Sequence, residues 1–192
     1  MTFFAALFCM LAALVPFERG GKWGYRDGAG NVVIQPRYQV AQEFSPEGIA
    51  AVADERGWAY IDASARVVIR PMVVDNGPDE FSENLARFRQ SGKTGFFDRR
   101  GQVVIPPGFT FAFPFSDGRA AVCAGCVEKK EGEHRAITGG RWGYINARGD
   151  LVIPLQFEEA QPFRDGRARV RKGGAWQLID KAGKPIAPGK YK

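Results

Sequence analysis

The chain has 192 residues, with 27 Lys+Arg against 21 Asp+Glu for a formal net charge of +6, and 45% of it is apolar. Those values exclude a disordered chain, a polytopic membrane protein and a collagen-like fibre. With 24 Gly, 15 Phe and a single His, the composition points to a turn-rich aromatic β protein and excludes any site that needs two histidines.

In chain order, the first feature is a run of 13 apolar positions, Phe3 to Val15, followed by Pro16 and the first charges at Glu18 and Arg19. The run is shorter than the ~20 residues of a membrane-spanning helix. It matches the apolar core of a secretory signal peptide, ~7–15 residues, although no Lys or Arg precedes it and no Ala-x-Ala site follows. Residues 1–17 are expected to be a signal peptide or a membrane-anchoring segment, with a buried amino-terminal helix as the alternative. The expected location is the periplasm, the outer surface or the medium.

From Trp23 onward the chain repeats itself. Trp23-Gly24-Tyr25-Arg26-Asp27 returns as Trp58-Ala59-Tyr60-Ile61-Asp62, Thr94-Gly95-Phe96-Phe97-Asp98, Trp142-Gly143-Tyr144-Ile145-Asn146 and Trp176-Gln177-Leu178-Ile179-Asp180. Each is followed by an aliphatic block (Val32-Val33-Ile34, Val67-Val68-Ile69, Val103-Val104-Ile105, Leu151-Val152-Ile153, and a degenerate Pro185-Ile186-Ala187) closed by Pro36, Pro71, Pro106, Pro154 or Pro188. A third block opens on Phe44, Phe81, Phe115 or Phe163 and ends in small and β-branched residues. The intervals between first blocks are 35, 36, 48 and 34 residues, the signature of a repeat architecture.

Strand periodicity gives one unit its shape. Trp23 and Tyr25 project from one face of a strand, and Gly24 leaves the opposite face bare for a neighbouring backbone. Asp-x-x-Gly (Asp27 to Gly30, Asp98 to Gly101, Asp180 to Gly183, with Asn146 to Gly149 as a variant) is tight-turn chemistry. Ala65 stands where Gly is expected, which predicts a strained turn or another type. The aliphatic strand is expected to end at its Pro, which cannot donate to a ladder. The fold class expected is all-β: about five tandem three-stranded antiparallel meanders in a curved array, with a closed propeller-like ring as the alternative. One meander alone buries too little apolar area, so neighbours must stack. Trp23, Trp58, Trp142 and Trp176 are expected at equivalent buried positions, with Phe44, Phe81, Phe115 and Phe163 packed between units. The first copy is expected to lack a preceding strand. The repeat domain is placed at 18–192, with copies near 21–56, 57–92, 93–140, 141–174 and 175–188.

The pattern Lys22-Trp23-Gly24-Tyr25, Asp27, Gly30, Val33-Ile34, Pro36, Phe44-Ser45 and Gly48, matched again from Arg141 through Phe163 and Gly166, resembles the WG-repeat family of bacterial proteins. The resemblance spans about residues 21–188 and implies the repeat type; it brings no catalytic residues. Thr94 and Gln177 depart from the Trp-Gly pair.

The long interval comes from a polar insertion, Cys123 to Gly140, expected as a long loop. It holds Cys123-Ala124-Gly125-Cys126 and the only histidine, His134. A structural zinc site takes four ligands, and only Cys9 and His134 remain. A redox pair belongs in a strand-to-helix context that is lacking here. Cys123 and Cys126 are expected to form a local disulfide, as an oxidising compartment permits.

No nucleophile elbow, metalloprotease helix or phosphate loop is present in the pattern. The carboxylate pairs Asp79-Glu80 and Glu158-Glu159 are read as solvated loops. Charge is uneven: residues 1–134 carry 15 basic and 16 acidic side chains, residues 135–192 carry 12 and 5. Arg167, Arg169 and Arg171 alternate with Ala168 and Val170, which places three guanidinium groups on one strand face. They form a candidate anion-binding patch for an acidic polymer, phospholipid headgroups or an acidic protein.

These features lead to the expectation of a non-catalytic binding or scaffolding repeat protein of the cell envelope or exterior, without metal or cofactor. Its partner would be a protein or an anionic envelope component, with peripheral membrane contact and without nucleic acid. The rival expectation is a hydrolase acting on an envelope polymer, which needs two carboxylates converging in a cleft.

Overall fold

In the computed structural model, residues 14–131 and 134–187 are described, with side chains for all of these except 130, 131, 134 and 135. Every strand and turn among them belongs to an all-β architecture, and the chain divides into two compact units, residues 1–68 and 69–192.

Five small sheets follow one another. The first is β1 (Val15–Arg19), β2 (Lys22–Arg26) and β3 (Val32–Tyr38), side by side in that order. The second is β4 (Val40–Ala41), β5 (Ala50–Asp54), β6 (Gly57–Ile61) and β7 (Val67–Ile69). A two-stranded pair, β8 (Val73–Val74) and β9 (Gly77–Pro78), precedes the third sheet of β10 (Leu85–Gln90), β11 (Lys93–Asp98) and β12 (Val103–Phe109). The fourth holds β13 (Phe111–Ala112), β14 (Ala120–Glu131), β15 (His134–Ile145) and β16 (Leu151–Phe157). The fifth holds β17 (Glu159–Ala160), β18 (Arg167–Lys172) and β19 (Ala175–Asp180). Among the described residues none of these sheets closes into a barrel.

The meander is antiparallel as expected, but its phase differs from the sequence repeat. The strand after each Phe block pairs with the following Trp strand, so Trp58 stands opposite Ala53, Trp142 opposite Cys123 and Trp176 opposite Arg171. The third sheet therefore starts one strand before the boundary read at 93, and the second, fourth and fifth start two strands, the first of them only two residues long, before 57, 141 and 175. The first Trp strand has such a partner too: β1 pairs along β2 from Val15↔Arg26 to Arg19↔Lys22. That corrects the expectation of a missing first strand, since Val15 and Phe17, read as leader, supply the apolar residues of this edge. Residues 1–13 of the leader lie outside the described residues.

Proline does not end the aliphatic strand. Pro36, Pro106 and Pro154 lie inside β3, β12 and β16. Along β2 and β3 the register runs Tyr25↔Ile34 and then Trp23↔Tyr38, so two residues on one strand face four on the other. The same shift recurs at Phe96↔Ile105 and Thr94↔Phe109, and at Tyr144↔Ile153 and Trp142↔Phe157. A bulge on an outer strand leaves proline without a ladder bond to make. The bulge presses on the glycine between the aromatics. A methyl on Gly95 would lie 2.6 Å from the Ile105 carbonyl oxygen, and one on Gly143 2.5 Å from that of Ile153; Gly24 faces the Ile34 carbonyl in the same way. The second copy has Ala59 instead, and its outer strand β7 stops at Ile69.

Asp-x-x-Gly closes the next turn. Gly30 N–H donates to the Asp27 carbonyl at 3.0 Å, and Oδ1 of Asp27 accepts from the amides of Ala29 and Asn31. The Asn31 side-chain amide, bonded to the carboxylate, leads the interactions that hold the Asp27 carboxyl below its usual range. In the second copy Ala65 N–H makes the equivalent bond to Asp62 at 2.9 Å, and Ala65 is forced to φ +64°. The turn type is thus retained and strained. Replacing Ala65 by Gly is expected to stabilise the first unit by about 1 kcal/mol, because a left-handed backbone costs an L side chain about that much. A denaturant midpoint that fails to rise would show the strain to be relieved elsewhere.

Packing explains why the blocks repeat. The apolar clusters lie between successive sheets: Tyr25, Ile34, Val52 and Ile61 in the first unit; Phe96, Ile105, Val122 and Ile145 between the third and fourth sheets; Tyr144, Ile153, Val170 and Ile179 between the fourth and fifth. In three blocks the Phe caps the aromatic of the sheet before it, edge to face. Phe44 meets Tyr25 at 4.9 Å and 65°, Phe115 meets Phe96 at 4.9 Å and 65°, and Phe163 meets Tyr144 at 4.8 Å and 66°. Phe81 instead meets Phe97 of the sheet that follows it, at 5.4 Å. The turns between Phe and strand stack as well. Gly118 N–H donates to the Glu83 carboxylate and Gly166 N–H to Asp117 Oδ2, each reaching one repeat back. The Asp117 carboxyl is held below its usual range chiefly by its bond from Lys181 and next by that from Gly166 N–H.

The tryptophans share a strand position but not an environment. Trp23 and Trp58 are half-buried, Trp142 is 3% exposed and Trp176 39%. The expectation of four equally buried tryptophans is corrected. In three copies the core ring is the second aromatic of the block, Tyr25, Phe96 or Tyr144, each fully buried, while Tyr60 is half-buried and Leu178 exposed. The core ring sits opposite the bulged strand's isoleucine, where the next repeat covers it.

Candidate functional site

A groove of about 1150 Å³ opens on the second unit. Its apolar wall is built from two copies of one corner and a variant of it in which the outer strand has no bulge. A strand leaves its sheet after the bulge, bends at one residue and starts the next sheet, with Thr110 N–H donating to Cys123 and Glu158 N–H to Arg171, both at 2.9 Å. Met72 N–H makes the matching bond to Arg87. These corners present Val73, Val74, Phe111, Phe113 and Ala160 to the groove. Phe113 stacks on Trp142 with ring centres 5.7 Å apart and 29° between planes, and Phe111 meets both rings edge-on. The buried Trp142 Nε1–H has no hydrogen-bond partner among the described residues. Beneath the wall the Tyr144 hydroxyl donates to the Gln161 carbonyl at 2.8 Å, as Tyr25 does to Gln42 at 2.7 Å, and burial pushes both phenols far above their usual pKa.

Four of the five charged side chains lining the groove (Arg87, Arg89, Glu128 and Glu159) are held in ion pairs, and Asp75 makes none among the described residues. Arg87 is 7% exposed and Asp79 4%. The guanidinium reaches Asp79 through Nη2 to Oδ1 at 2.6 Å and Nε to Oδ2 at 3.0 Å, while Nη1 donates to the Ala112 carbonyl at 2.9 Å. Asp79 was read as part of a solvated loop; the structure corrects this, because the loop folds back so that Met72 accepts from Asp79 N–H and Arg87 closes over the carboxylate. Arg89 pairs with Glu128 at 3.1 Å.

The three arginines of β18 lie on one face as expected, with Ala168 and Val170 buried behind them. They are not equivalent. Arg171 is engaged by Glu158 at 3.1 Å and Glu159 at 2.6 Å, and Arg169 lies 4.5 Å above the Trp176 ring. Arg171 therefore brings its own counter-charges to the candidate anion patch. The Glu158-Glu159 pair is bound to it on a partly exposed surface.

Cys123 and Cys126 are joined as a disulfide with Cα atoms 6.1 Å apart, but not in a loop. Both are buried in the core that contains Trp142. The segment read as a long loop is a continuation of β14 and β15, paired from Cys126↔Gly139 to Glu131↔His134. Pairing overrode polarity: Val127 and the β-branched Ile137-Thr138 flank the Gly132 stretch, and that was the available signal. Gly140 makes room for the bridge, since a methyl there would lie 2.8 Å from Cys123 Sγ. Among the described residues no group of three His, Cys, Asp or Glu is arranged to hold a metal ion.

No curated protein matches the chain. Among solved structures, one titled as the eukaryotic initiation factor aligns with a TM-score of 0.42 and 10% identity, over 93% of this chain and 53% of the other; the chain spans about half the length of that structure. The family model of the WG containing repeat matches residues 23–55, 58–93, 95–125 and 142–176. Its four matches begin at the Trp position or beside it and together cover most of the chain, which belongs to the WG-repeat family.

Proposed function

We propose that this chain is an exported, non-catalytic binding or scaffolding protein that holds an extended, uncharged protein segment in the groove of its second unit. The observation that carries the reading is a groove walled by Phe111, Phe113, Trp142 and the exposed Val73 and Val74, with every lining charge except Asp75 held in an ion pair. Apolar concavity with few unpaired charges suits apolar side chains of a partner. The internal pairing of Arg87, Arg89 and Arg171 favours a neutral segment over an anionic polymer. The apolar run at Phe3 to Val15 and the Cys123–Cys126 bridge support export.

Selection of a random peptide library on the full chain tests this. Apolar extended peptides should be enriched, and Val74→Asp and Phe113→Ala should each weaken a selected peptide at least about ten-fold, as removal of a hot-spot contact does. Enrichment of acidic peptides, or affinities unchanged in both variants, would overturn the reading.

A further inference from the structure

Residues three apart on a straight strand stand about 10 Å apart and point to opposite faces. A disulfide needs Cα atoms within about 7 Å. Cys123 and Cys126 lie 6.1 Å apart on β14, so the ribbon bends between them. The bend is made of glycine: Gly125 on β14 and Gly139 and Gly140 on β15 have φ of +74°, +71° and +67°. Across it the ladder steps from Ala124↔Arg141 to Cys126↔Gly139. Glycine takes left- and right-handed backbone alike, so these residues permit the bend, and the covalent bridge fixes it.

Two walls of the larger groove hang from this bend. Beyond it, Glu128 and Ile137 stand opposite each other on the ribbon and both line the groove. Glu128 is bonded to Arg89, and Ile137 packs on the core that holds Trp142. On the other side, Thr110 is bonded to the bend twice. Its N–H donates to the Cys123 carbonyl at 2.9 Å, and its Oγ1 accepts from Gly125 N–H at 3.0 Å. The next residue, Phe111, is the ring that meets Phe113 and Trp142 edge-on. Cys123 is fully buried and Cys126 is 5% exposed, and a methyl on Gly140 would lie 2.8 Å from Cys123 Sγ. Two sulfurs that are no longer bonded must separate, and a close-packed interior leaves that movement to the bend.

We propose that the Cys123–Cys126 bridge is a redox switch for the groove, a regulation that rests on the groove being the binding site. The disulfide form holds the ribbon and the Thr110 corner in the shape that takes a segment, and the dithiol form releases both. The reductant is a dithiol. One of its thiolates attacks the sulfur of Cys126, the less buried of the two, and the S–S bond breaks with its electron pair on Cys123, which takes up a proton. The second thiol of the reductant then displaces Cys126 as a thiol. Two electrons and two protons pass to the protein, and the reductant ends as a disulfide. Exchange in the opposite sense restores the groove.

Dithiothreitol on the full chain, with thiol titration to show the bridge open and oxidised glutathione to close it again, tests this. Reduction should speed amide exchange at Val127, Glu128, Ile137 and Thr138 about ten-fold, while Ala121 and Tyr144, on the same two strands before the bend, keep the parent rate. The peptide selected on the oxidised chain should bind about ten-fold more weakly after reduction, as when the competent form falls to about a tenth of the population. Reoxidation should reverse both effects. Cys123→Ala combined with Cys126→Ala should behave as the reduced chain and ignore dithiothreitol. Ribbon exchange unchanged on reduction, or equal peptide affinity in the two redox forms, would overturn the switch and leave the groove its peptide. A bridge that dithiothreitol cannot open in the folded chain, or protection lost at Ala121 and Tyr144 as well, would overturn it in favour of a bridge that only holds the sheet together. A library that enriches no peptide would overturn the binding reading and the switch with it.

Discussion

Replacing Arg87 by alanine is expected to destabilise the second unit by about 3–5 kcal/mol, the cost of stranding a buried charge. The guanidinium is the partner of both Asp79 carboxylate oxygens and of the Ala112 carbonyl. Its loss leaves the buried Asp79 charge uncompensated and the edge of β13 without a donor. The pair replaced together by apolar residues of similar size, Asp79→Leu with Arg87→Met, should recover most of the loss, because neither charge is then buried. Urea midpoints of the single and double variants on the full chain measure this. A single variant that loses less than about 1 kcal/mol would mean that water already reaches the carboxylate. The same variant should abolish peptide capture at the groove, since the pair ties the Met72–Asp79 loop to β10 and to the corner that carries Phe111 and Phe113.

The second large effect is expected at Gly143. An added methyl would press on the Ile153 carbonyl oxygen at 2.5 Å and on Pro154 at 2.8 Å, all backbone atoms with no flexible side chain to yield. Gly143→Ala should cost about 3 kcal/mol, at the upper end of overpacking penalties. It should also open the bulge that carries β16 over Trp142, visible as faster amide exchange along Leu151–Phe157. The natural Ala59 marks the boundary of the rule: its sheet has an alanine at this place, and its outer strand ends at Ile69 before any bulge. Gly143→Ala with parent stability and an intact β16 would show that the strand can move away freely, and that the glycine is required by something else.

Much of this was legible locally. The Asp-x-x-Gly turn, the strain at Ala65, the bare face of Gly24 and the alternation of Arg167, Arg169 and Arg171 with Ala168 and Val170 all follow from backbone chemistry over a few residues. The phase of the sheets did not, because a strand of small apolar residues reads the same whether it pairs forwards or backwards. Nor did the fate of the charges. Asp79 and Glu158 occupy similar acidic pairs before a Phe block, yet one is enclosed and the other lies at the surface. The difference is made by Arg87, eight residues on from Asp79, together with a carbonyl at Ala112 from the next sheet. Trp176 shows the same limit, being 39% exposed where Trp142, at the equivalent strand position, is 3% exposed.

By itself, then, the sequence determined the family, the repeat length, the all-β class and the identity of the turns, since these depend on short-range steric and hydrogen-bonding preferences repeated in each copy. Only the tertiary structure decided which strands share a sheet, that the Cys-bearing insertion is a paired ribbon, and where aromatic rings gather into a groove. Those outcomes rest on contacts between copies, where burial and charge pairing are properties of the neighbour as much as of the residue.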